Sequence, residues 1–159
     1  MAKATTVPQP AQVDVTVISF VDVINDDTPP GDARLCDATW KLRTPAPDGI
    51  RQPTASDTMF ISQPMEVEFN LAAGSAYRFA GIAFRRVRGS GSGNGHKNFP
   101  KEKILITERA DGSSAIRVKD AWVDHSPKGT HKFNWDFYLI IQDSSGFIGI
   151  IDPDIENEE

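Results

Sequence analysis

A single cysteine, Cys36, stands among the 159 residues. No disulfide can form within the chain, and a reducing compartment is the natural setting. Long hydrophobic runs are missing as well. Nothing approaches the roughly 18 consecutive apolar residues of a membrane span, and residues 1–13 carry Lys3, threonines and prolines without the apolar centre of a signal peptide. These absences lead us to expect a soluble, cytoplasmic protein. Basic character is scarce: the net charge of −5 argues against a general nucleic-acid binder or a ligand of anionic membranes. Internal repeats are absent, which excludes a propeller or solenoid. So are the GxSxG nucleophile elbow, the HExxH zinc helix, the Walker loop and GxGxxG. No cofactor is expected.

Alternation is plentiful instead. Val13, Val15 and Val17 fall on one face of a segment spanning 12–23, with Asp14 and Thr16 on the other; period two with β-branched residues reads as a strand. Ile18 and Phe20 interrupt the polar face, so its later half is expected to be covered on both sides. Residues 65–71 give the cleanest one-sided pattern, with Met65, Val67, Phe69 and Leu71 opposite Glu66, Glu68 and Asn70. Further strands are predicted at 38–43, 58–62, 76–87, 103–108, 115–119, 132–141 and 147–151. Gly81 inside its strand suggests a bulge, Asp111-Gly112 a hairpin turn, and 44–57, with its three prolines, a long loop. About nine short strands with frequent turn signals and no sustained helical pattern predict an all-β fold, a two-sheet antiparallel β-sandwich. Residues 1–11 read as a flexible arm and 12–157 as one domain.

Three places offer chemistry. The first is the glycine-rich stretch 89–97, preceded by Arg85, Arg86 and Arg88 and ending in His96 and Lys97. Glycine amides beside cations suit an anion, a nucleotide or a glycan; a hairpin tip with solvated arginines is the plainer reading. The second is Asp124, His125 and His131, the minimum kit for a transition metal or a metal-dependent hydrolase, although loop histidines more often face solvent. The third is the ending, where Asp152, Asp154 and Glu156 share a face of an extended chain and could offer oxygens to Ca²⁺. A solvated acidic tail after Pro153 competes with that. Cys36 reads as a small buried hydrophobe, and Trp122, Trp135 and Tyr138 as core before sugar platform.

The ending is also the most distinctive stretch. Residues 147–157, Phe-Ile-Gly-Ile-Ile-Asp-Pro-Asp-Ile-Glu-Asn, resemble the close of the DP-EP family, small bacterial proteins known by their Asp-Pro and Glu-Pro C-terminal motif. The preceding long strand and residues 77–82, Tyr-Arg-Phe-Ala-Gly-Ile, are also similar to that family. The resemblance spans 12–157, with its specific part at the ending, where Asn157-Glu-Glu stands in place of a Glu-Pro. A fainter likeness is to the AidA and inclusion-body-like proteins. The resemblance implies an immunoglobulin-like sandwich and carries no established activity. Read physically, Asp152 and Pro153 end the last strand, Ile155 packs back as an apolar plug, and Asn157 bonds local backbone. The sequence thus favours a non-catalytic interaction or self-assembly module. Ile140, Ile148 and Ile150, on the face opposite Trp135, Phe137 and Leu139, would suit a homodimer if no second sheet covers them. Ligand binding at 85–97 is the alternative, and a hydrolase at 124–131 the second.

Overall fold

The computed structural model describes residues 8–21, 34–54, 56–86, 95–123, 134–152 and 154–158. The chain is all-β. Its strands are β1 (Ala11–Val21), β2 (Arg34–Leu42), β3 (Ile50–Arg51), β4 (Thr58–Ile61), β5 (Met65–Leu71), β6 (Tyr77–Arg86), β7 (Leu105–Glu108), β8 (Ser114–Asp120), β9 (Asn134–Asp143), β10 (Ile148–Ile151) and β11 (Asp154–Asn157). One helical turn, α1 (Gly95–Asn98), and a 3-10 turn at Lys101–Lys103 stand between β6 and β7.

Hydrogen bonds run from strand to strand in the order β3-β4-β11-β9-β10-β2-β1-β5-β8-β7, with β6 on the other edge of β9. The two ends of this path do not meet, so the ladder is not a closed barrel. Antiparallel blocks, β3 with β4, β9 with β6, β10 and β11, β1 with β2, and β5 with β8 and β7, are joined by three parallel seams. Those seams lie at β1–β5, β10–β2 and β11–β4. Parallel seams were not foreseen in the sequence.

Between the blocks lies one apolar core. Val13 and Val15 of β1, Val67, Phe69 and Leu71 of β5, and Ile116 and Val118 of β8 meet Phe137, Leu139 and Ile141 of β9. The Phe69 and Phe137 rings sit 5.2 Å apart at 48°, a tilted aromatic contact. The alternation expected for β5 is present, but Glu68 and Asn70 are buried too. The cause is the ion cluster above them: Arg117 grips Glu68 Oε2 at 2.7 and 2.9 Å, Arg109 reaches Oε1 at 3.2 Å, and Asn70 donates to Gln12.

Several boundaries depart from expectation. Ala11, placed in the arm, already pairs with β5 and is fully buried. Ile18 is 58% exposed rather than covered, because pairing with β5 stops at Val15 and a bulge follows Val17. Strand β2 begins four residues earlier than predicted, and β3 interrupts the proline-rich loop. Gly81 does mark a bulge: the β6–β9 register shifts between Phe79 and Gly81, and the Ser114 hydroxyl accepts the Phe79 N–H at 3.0 Å.

The largest departure is β11. It pairs antiparallel with β9 and parallel with β4, filling the space between them. Ile151 faces Leu139 and Asp154 faces Asp136, so β10 and β11 follow β9 in one unbroken register. Across that step the strand's other neighbour changes from β2 to β4. The exchange falls between Ile151 and Asp154.

Candidate functional site

Strand β8 alternates faces, and Ile116, Val118 and Asp120 all point inward. Asp120 is fully buried at the end of that row. Its Oδ1 accepts three hydrogen bonds, from Trp122 N at 2.8 Å, Asn98 Nδ2 at 2.9 Å and Asn157 Nδ2 at 3.1 Å. Its Oδ2 is buried and finds no donor among the described residues. Burial pushes the carboxyl up to about 7, against the pull of those three donors. Burial thus makes this carboxyl hold its proton to a higher pH than an exposed one.

Asn98 holds the other side. Its carbonyl accepts Ala121 N at 2.7 Å, and its Oδ1 accepts Val123 N at 2.9 Å and Asn157 Nδ2 at 3.3 Å. Trp122 takes a φ of 52°, the left-handed region that costs a non-glycine residue about 1–2 kcal/mol; the bond from its N–H to Asp120 holds it there. Beside Asn98, Phe99 is buried, stacked on Phe84 at 4.1 Å and edge-on to Trp135 at 5.3 Å. The cluster therefore fastens α1, residues 121–123 and β11 at one point.

This knot gathers the borders of all three stretches singled out in the sequence. The glycine-rich stretch leads into α1, residues 124–131 follow Val123, and Asn157 belongs to the distinctive ending. Of the proposed ligand set, Arg85 and Arg86 close β6, and His96 lies in α1, with their side chains outside what is described; Lys97 is exposed; Arg88 lies outside the described residues. Asp124, His125 and His131 also lie outside them. No group of three metal-ligating side chains occurs among the described residues.

The ending needs correction. Glu156, Asn157 and Glu158 are not a solvated tail; each is buried, because β11 fills the space between two strands. Asp152 is exposed while Glu156 is sealed in, so these two do not present oxygens to one cation; Asp154's side chain lies outside what is described, as does Pro153. Ile155 is buried in the core. Asn157 bonds distant side chains, Asn98 and Asp120, in addition to its strand pairing. Glu158 is held by a two-pronged Arg51 contact at 3.0 Å on both oxygens.

The sequence reading missed Asp120 and Asn98. The signal was present for Asp120: the alternation through Ile116 and Val118 continues onto it. Cys36 fits its reading, half-buried against the core with its thiol pushed up to about 11 by burial. No helix of the described residues is long and apolar enough to cross a membrane. The chain matches no family model and no curated protein sequence.

Proposed function

We propose that this protein is a non-catalytic interaction module that associates with a second copy of itself through the outer face of β6, β9 and β10. The observation that carries this reading is the row formed by Gly81, Ile140 and Ile150 in register across those three strands. Ile140, Ile148, Ile150 and Tyr138 are half-buried on this face, while Leu139, Ile141 and Phe137 face the core. Ala80 and Ala83 beside them are exposed, and Ile140 Cδ1 lies 3.5 Å from where a side chain on Gly81 would begin. Among the described residues the centre of this face carries small and apolar side chains and no charge. A twofold dimer would set such a surface against its own image without burying an ion.

An immunoglobulin-like sandwich of the DP-EP type is part of the same proposal. Support comes from the apposition of the β5 and β9 inner faces and from the change of strand partner between Ile151 and Asp154. Light scattering on the eluting protein tests the assembly reading. A dimer is expected for the native chain and a monomer for Ile140→Lys with its circular dichroism unchanged. A native monomer at all accessible concentrations removes the proposal.

A further inference from the structure

Strand β8 leaves the knot at Asp120 and reaches Ser114, six residues or about 20 Å away. There, at the other end of the fold, three turns border an open cleft of about 640 Å³. From the chemistry of its walls we infer a binding site for a neutral, polyhydroxylated ligand, a saccharide chain. This goes beyond the assembly reading and stands independently of it.

The turns are held in place by their own side chains. Asp143 Oδ1 accepts Ser145 N at 2.8 Å and Phe147 N at 2.9 Å. Asp111 Oδ1 accepts Ser113 N at 2.9 Å and Ser113 Oγ at 2.6 Å. Ser75 Oγ accepts Tyr77 N at 3.2 Å. Gly112 and Gly146 supply the positive φ values, 80° and 89°, that these turns need. Such a site is formed before a ligand arrives, which lowers the ordering cost of binding.

The walls are forked and polar. Arg78 donates to Gln142 Oε1 at 3.0 Å, and Gln142 in turn donates to the Gly146 carbonyl at 3.2 Å. Arg78 also stands 3.8 Å from Glu108. Arg109 is steadied by Glu68 at 3.2 Å and by Asn70 and Ser113 at 3.4 Å. Two arginines, Arg78 and Arg109, and two carboxylates, Glu108 and Asp143, line the cleft, so its formal charge sums to zero.

That balance selects the ligand class. An anion would meet Glu108 and Asp143, and a cation would meet both guanidinium groups. An apolar molecule would strip the walls of hydrogen bonds and return none. A sugar hydroxyl both donates and accepts, so it can exchange bonds with Arg78, Gln142 and the serines one for one. Tyr77 packs against the core and also lines the cleft, so it helps to shape the wall.

A ¹⁵N NMR titration of the full chain tests the inference, with maltotriose, cellotriose, mannotriose, galactotriose and triacetylchitotriose added in turn, and inorganic phosphate as the competing probe. Saturable shifts are expected at 75–78, 109–114 and 142–146 with a saccharide, at a Kd of about 1 mM. Gln142→Ala should weaken binding about tenfold, the scale of one lost hydrogen bond, as should Arg78→Ala; unchanged amide dispersion elsewhere shows that each variant is folded. No saturable shift with any saccharide at about 50 mM overturns the inference. Saccharide shifts confined to other residues overturn it too, and saturation by phosphate alone replaces it with an anion site.

Discussion

Asn157 donates its side-chain amide to Oδ1 of Asp120 at 3.1 Å, across 37 positions of sequence. The contact is buried at both ends, and it fastens a strand rich in acidic residues into the sheet. Removing the acceptor leaves three donors without it. Asp120→Ala should therefore cost about 2–5 kcal/mol, since each buried donor stranded costs roughly 1–3 kcal/mol. Asp120→Asn keeps Oδ1 and should cost far less. Urea unfolding of both variants decides the matter; equal losses would show that the carboxamide oxygen does not serve.

The same carboxyl makes stability depend on pH. Its folded value of about 7 lies above the ordinary 3.8, so between those values the folded chain keeps a proton that the unfolded chain has released. Stability is greatest on the acid side of this window and falls as pH rises through 7. Asp120→Asn carries a permanently neutral group and should lose less between about pH 5 and about pH 8. Denaturant midpoints at those two pH values check this, and a wild-type midpoint that rises more than the variant's contradicts it.

Phe99 should behave as the anchor of α1. Truncating a fully packed aromatic costs about 3–5 kcal/mol, and Phe99→Ala also abandons the rings of Phe84 and Trp135. Thermal unfolding of the variant should begin well below that of the native chain, with amide protons of 95–98 losing protection first. Protection there equal to wild type would assign the anchoring to Asn98 alone.

Cys36 should be a slow thiol. With its value raised to about 11 by burial, little thiolate is present near pH 8, and the thiolate is the nucleophile. Iodoacetamide should label the folded protein at least tenfold more slowly than the same protein in denaturant. Comparable rates would place the sulfur in open solvent.

Much of this fold is legible residue by residue. The alternation of Val67, Phe69 and Leu71 places β5, Gly81 marks its bulge, and Asp111-Gly112 makes its hairpin, because each depends on local rules. What escapes is decided at long range. Residues 154–158 are acidic, and by composition alone they belong in water; occupancy of the space between β4 and β9 overrides that preference. Ile50 and Arg51 make a two-residue strand on the free edge of β4, too short for any alternation in the sequence to announce it. Asp120 sits where the alternation of β8 leads, yet nothing local announces that Asn98 and Asn157 will meet it there.

The place of β11 also bears on how the protein is made. A ribosome emits β3 and β4 early, but their link to the rest of the ladder runs through β11, and Arg51 must wait 107 residues for Glu158. Until then β4 has one edge filled by β3 and the other open. Such distant closures slow folding, and an open strand edge invites pairing with foreign chains. A nascent chain stalled before residue 154 is thus the form of this protein most in need of a chaperone.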